Sequence, residues 1–196
     1  MSETFSEAII KNKTVIYAIL LYLAGLFAGT VIYKTADYKL TQAVIENIFS
    51  SDVKSFLSLF LNKLSIYISI YSSAVLLGMC LIGFPLIYLI PLLTGLIISF
   101  KIAYYYSSFG LKGVGYSLLL IIPESAALQC VMTFTICRAV ELSKLIYSST
   151  VKKTDMTKDN ELKSYLKVFI IYFGLTALTA LINTSVQYLL SGLITF

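Results

Sequence analysis

Histidine and tryptophan are absent from this 196-residue chain, and only 13% of its residues are charged. Without histidine there is no imidazole to activate a serine or cysteine nucleophile, and no HExxH pair to hold zinc. The aspartates, Asp37, Asp52, Asp155 and Asp159, all fall in polar stretches, which leaves no membrane-embedded aspartate pair. No phosphate-binding glycine loop is present, so any nucleotide-driven work would need a separate subunit. The three cysteines, Cys80, Cys130 and Cys137, lie in apolar runs without CxxC spacing. They read as small packing residues and not as a disulfide framework. The expectation is a chain that is not an enzyme, with no catalytic, cofactor-binding or metal-binding residues.

What is abundant is apolar surface. Hydrophobic residues make up 58% of the chain and the mean hydropathy is +0.87, where a soluble domain has about 45–50% apolar and about 25% charged residues. The class is a polytopic, all-α membrane protein, one domain over 1–196, with the lipid bilayer as its first partner. The net charge of +5 is mostly lysine. Such charge records orientation and contact with anionic lipid, and nucleic-acid binding is not expected. Fifteen tyrosines supply the interfacial anchoring that tryptophan would otherwise share.

Five hydrophobic runs predict five transmembrane helices at about 14–33, 64–83, 86–106, 114–138 and 165–190. The first is about 20 residues and spans about 30 Å as a helix. It exceeds the apolar part of a signal peptide and lacks a clean A-x-A-like site, so it reads as a retained span. Within it Gly25 and Gly29 form GxxxG. Small residues four apart let another backbone approach closely, either inside the bundle or on a partner's helix.

The stretch 34–63 has helical apolar spacing at Leu40, Val44, Ile45, Ile48 and Phe49, then at Val53, Phe56, Leu57, Phe60, Leu61 and Leu64. It predicts a short amphipathic helical external loop, its second segment running straight into the next span. Gly83-Phe84-Pro85 is a very short link, which predicts an antiparallel hairpin of spans two and three, with Pro85 in the first turn of the third helix. Pro91 is expected to kink that helix. Lys101, among tyrosines, reads as an interface anchor that snorkels. Gly110, Gly113 and Gly115 supply the next turn. The stretch 139–164 is a cytoplasmic loop, into which the fourth helix runs on to about Tyr147 with Arg138 and Glu141 spaced for an i,i+3 pair.

Lysine and arginine counts set the orientation. With the N-terminus inside, nine lie in cytoplasmic pieces (Lys11, Lys13, Arg138, Lys144, Lys152, Lys153, Lys158, Lys163, Lys167) and six outside. The excess predicts an N-terminus inside and a C-terminus outside, in the cell membrane.

The residue that most needs explaining is Glu124, about ten residues into the fourth run and so about 15 Å deep. A charge there costs several kcal/mol unless protonated, paired or hydrated. Pro123 beside it removes a backbone donor and marks either a kink or a re-entrant half-helix. Two readings stand. Glu124 locks the bundle through Ser125, a tyrosine hydroxyl or a released carbonyl, or it faces a partner or a water-lined solute path.

The sequence IGFPLIYLIPLLTGLIISF, then FGLKGV, then LLLIIPESAALQ resembles the stage II sporulation protein M family of integral membrane proteins. The matching positions are Gly83 and Pro85, Lys112 and Gly113, and Pro123, Glu124 and Ser125. The resemblance implies five spans with opposite-sided termini. It also implies a non-enzymatic scaffold that anchors peptidoglycan-remodelling partners, membrane-anchored cell-wall hydrolases resembling stage II sporulation proteins D and P, during forespore engulfment. The external loop 34–63 and the GxxxG face are the surfaces it would offer them. The alternative from another class is a transporter or permease component partnered with a separate ATPase, for which Pro91, Pro123 and Glu124 are the support.

Overall fold

A computed structural model describes residues 2–35, 55–80, 83–151 and 158–191. These residues are helical, with no strand among them. Helix α1 is Ser2–Thr35, α2 is Phe56–Met79, α3 the single turn Gly83–Leu86, and α4 Leu89–Tyr116. A π-helical turn, Ser117–Ile121, leads into α5, Ile122–Val151, and α6 is Lys158–Ser191. The first amphipathic segment of the predicted external loop lies outside the described residues. The second is the start of α2, which carries on into the apolar run as expected.

Four helical stretches are long and apolar enough to cross a membrane: Lys13–Thr35, Phe56–Met79, Gly83–Ser148 and Ser164–Leu189. The third takes in both predicted spans 86–106 and 114–138. Straight, its 66 residues would reach about 100 Å, three times the thickness of the hydrocarbon layer. It is not straight. Gly110 has φ 56° and ψ −130°, a backbone that a residue with a Cβ rarely adopts. The rings of Tyr105 and Tyr116, eleven positions apart, stack with centroids 4.6 Å apart, where a continuous helix would separate them by about 16 Å. The chain therefore folds back at Gly110. Gly113 completes the turn by lying against the Tyr105 carbonyl, where a Cβ has no room.

The distribution of polarity is that of a protein solvated by lipid. Ile16, Leu20, Leu23 and Phe27 of α1 and Ile170, Ile171, Leu178 and Leu189 of α6 face outward, while Thr94, Ser99, Ser125, Gln129, Thr133, Ser143, Thr176 and Thr184 are buried. Several of the buried hydroxyls bond the carbonyl four residues back, as Thr133 does to Gln129, Thr176 to Tyr172 and Thr184 to Ala180. They satisfy themselves within their own helix, as a bilayer requires. The chain is a multi-pass membrane protein.

Two groups of helices make the bundle. Helix α1 packs along α4, and α2 packs with α5 and α6. The first pairing runs on glycine. Gly25 lies on the Leu92 carbonyl, Gly29 against Leu96 and Ser99, and Gly95 on the Tyr22 carbonyl. Backbones this close collect the dispersion contact that drives helix association in lipid. The second group is centred on Tyr67, Tyr71, Ala74 and Val75 of α2 with Leu128 and Met132 of α5 and Ala180 of α6. Tyr71 donates to the Phe169 carbonyl at 2.6 Å and Ser143 to the Cys80 carbonyl at 3.0 Å. The expected hairpin of spans two and three is thus corrected. Helices α2 and α4 touch very little, because each has a better partner on its other side.

The expected kink at Pro91 is also corrected. Pro91 sits in the first turn of α4, where a missing N–H costs nothing. The bend lies just before it, at Ile87 and Tyr88, between α3 and α4. Pro85 occupies the short α3 rather than the long helix. The three cysteines form no disulfide.

Candidate functional site: an ion pair in an intramembrane cleft

Helix α5 delivers Glu124 in its first turn, directly after the π-helical turn. Pro123 has no N–H with which to close the preceding turn, and the chain absorbs the defect by widening: the Ile122 N–H bonds the Ser117 carbonyl, five residues back. The helix continues through Pro123 without leaving the bundle, so the residue marks a π-bulge and not a re-entrant half-helix. Such bulges redirect the side chains that follow.

The redirected carboxylate meets α2. Lys63 Nζ lies 3.1 Å from Glu124 Oε2, and Tyr67 donates its hydroxyl to Oε1. The side chains of Lys63 and Glu124 are 12% and 13% exposed, so the pair is largely shielded. Lys63 and Tyr67 are one turn apart on α2 and therefore face α5 together. Ser125 donates its hydroxyl back to the Ile122 carbonyl at 2.9 Å, within its own helix, and not to the carboxylate. Lys101 of α4 lies within electrostatic reach of the same group.

These residues line a cleft of about 110 Å³ between α2 and α4. Lys63, Tyr67, Lys101, Tyr105, Glu124 and Gln187 are among its polar lining, and Ile66, Ile70, Ile97, Ile98 and Leu128 among its apolar walls. The floor is α5. Its two walls, α2 and α4, make little mutual contact. Among the described residues no three carboxylate or thiol side chains converge as metal ligands.

Of the residues singled out from the sequence, Glu124 and Ser125 reach this cleft. Pro123 shapes it from the outside, being exposed. Gly25 and Gly29 lie elsewhere, and the face they form is filled by the chain's own α4, which closes it to a partner's helix. Gly83 and Pro85 build the turn after α2: Gly83 donates to the Cys80 carbonyl at 3.1 Å and accepts from the Ile87 N–H at 2.9 Å. Lys112 is exposed beside the reversal at Gly110, and Gly113 is buried in it. Missed were Lys63, Tyr67 and Lys101. Both lysines read as membrane-surface charges, yet Lys63 is seven residues inside a helix that starts at Phe56. The Arg138–Glu141 pair forms as expected at 2.8 Å on the exposed side of α5.

Neither a curated protein nor a solved structure matches the chain. A family model does, over residues 18–187, which takes in all of α2 to α5, the GxxxG face of α1 and the cleft. With its proline, acid and serine at 123–125 seated in a multi-pass helical bundle, this chain belongs to the stage II sporulation protein M family.

Proposed function

We propose that the chain is a non-enzymatic scaffold of the cell membrane that holds peptidoglycan-remodelling proteins in place during forespore engulfment. Its partners would be membrane-anchored cell-wall hydrolases like stage II sporulation proteins D and P. The observation that carries the reading is the state of Glu124. The acid is tied to Lys63 and Tyr67, so it joins α2 to α5 as a lock rather than standing ready for a moving proton or solute. A rigid core of this kind suits a platform. Five spans with the N-terminus inside and the C-terminus outside complete the proposal, and the reversal at Gly110 supports the count by splitting 83–148 into two arms.

The orientation has a direct check. Cysteines introduced in 36–54, the part of the predicted external loop between α1 and α2, will react with a membrane-impermeant maleimide added to intact cells, and cysteines introduced in 148–162 will react only after lysis. The reverse pattern overturns the orientation.

Affinity purification from detergent-solubilised membranes of sporulating native cells tests the role. A cell-wall hydrolase is expected to co-purify, and deletion is expected to arrest engulfment. A stable association with an ATPase and no hydrolase would instead favour the second reading, a transport component. The cleft at Glu124 is the feature in its favour, and that reading requires solute flux abolished by Glu124→Gln.

A further inference from the structure

We propose that the cleft between α2 and α4 binds an anionic phospholipid, with the phosphate at Lys63 and Lys101 and the first methylenes of a chain along Ile66, Ile70 and Ile98. The proposal is independent of whether the chain serves as scaffold or transport component.

Three features of the cleft point to an amphiphile. Its chemistry is divided along its length. From Lys63, Ile66 and Ile70 lie one and two turns closer to the α3 end, and on α4 Ile97, Ile98 and Thr94 descend the same way from Lys101. Lysines at one level thus give way to isoleucines one and two turns on, the division of charge and hydrocarbon that an amphiphile needs. Water alone fills the cleft poorly. About 110 Å³ is room for several waters, each needing two to four polar partners, and the hydroxyls among the isoleucines, Thr94 and Ser125, already donate to carbonyls of their own helices.

The cleft lies between α2 and α4, which make little mutual contact, so their walls leave room for a chain between them. Donors for a phosphate are present as well. An ammonium has three N–H bonds, and Lys63 directs one of them to Glu124. The others remain for an oxygen in the cleft. Glu124 itself repels an anion, but Lys63 and Tyr67 already cover its two oxygens, and Lys101 and the Tyr105 hydroxyl stand on the opposite wall.

The full chain, purified in a neutral detergent, is tested by native mass spectrometry and by its thermal melting point with one additive at a time. Phosphatidylglycerol is expected to stay bound and to raise the melting point, and phosphatidylcholine of the same chains to do neither. Equal retention of the two would overturn the proposal and leave only a non-selective annular lipid. A rise given equally by soluble glycerol 3-phosphate would overturn it in another way, as a site for a free phosphate. Lys101→Gln is expected to weaken phosphatidylglycerol binding by about fivefold, the loss of one basic contact. Ile66→Trp, which plugs the apolar arm and spares both lysines, is expected to abolish it. Unchanged binding in the plugged variant would place the lipid elsewhere. Should a variant fail to accumulate, the wild-type comparison of the two lipids decides.

Discussion

Glu124→Leu will destabilise the chain by about 3–5 kcal/mol, the range for removing one partner of a buried ion pair. Lys63 is then left with its ammonium shielded from water and without the carboxylate it pairs with at 3.1 Å. Lys63→Met will cost less, because Glu124 keeps the Tyr67 hydroxyl and the field of Lys101 and has the further option of protonation. The double variant, Lys63→Met with Glu124→Leu, will be more stable than Glu124→Leu alone. Two desolvated charges are then replaced by apolar groups of similar volume, which is often neutral or favourable. Unfolding titrations of the four proteins in mixed micelles give the coupling between the two sites. Strict additivity would mean that the contact carries no energy, and the lock between α2 and α5 would be lost as an account of Glu124.

The second large effect belongs to the α1–α4 seam. Gly25→Ala and Gly95→Ala will each cost more than about 3 kcal/mol, beyond the usual range for overpacking, since the atoms in the way are carbonyls of the facing backbone. A side chain in that position would turn aside, whereas the Leu92 and Tyr22 carbonyls belong to helices that must move as bodies. Gly174→Ala in α6 is the matched control. Nothing lies within 4 Å of its added Cβ, and the change is expected to stabilise by about 0.5–1 kcal/mol through backbone entropy. Melting curves in one detergent distinguish the two classes. Equal tolerance at Gly25 and Gly174 would show that α1 is not seated on α4 through its glycines.

The site itself was only half legible. Glu124 announces itself, because an acid in the middle of an apolar run has few explanations. Its partners do not. Lys63 and Tyr67 form a Lys-x-x-x-Tyr pattern, but so do Lys13 and Tyr17, Lys34 and Tyr38, Lys101 and Tyr105, and Lys112 and Tyr116. At the ends of hydrophobic runs this pattern ordinarily marks a membrane interface, where both residue types anchor. Nothing local distinguishes the lysine that turns inward. The prolines were misjudged for a related reason. A proline's effect depends on whether its absent N–H would have had a partner, and that depends on where the helix begins. Pro91 proved harmless by two residues, and at Pro123 a π-turn took up what a kink would otherwise have had to.

Composition and periodicity by themselves determined that this chain lives in lipid, that it is helical, and that residues 25 and 29 let a backbone come close, since each is a property of single residues or of one helix against its solvent. The family was legible too, in short motifs at 83–85, 112–113 and 123–125. Tertiary structure alone decided which helix uses the glycine face, that α2 and α4 stand apart, and that a charge from each of α2 and α5 meets inside the bundle. Those outcomes depend on the competition among helix pairs for contact, an energy that belongs to no one segment. In a solvent as apolar as the side chains, hydropathy is indifferent to that choice, and only the shapes and polar groups of the assembled helices make it.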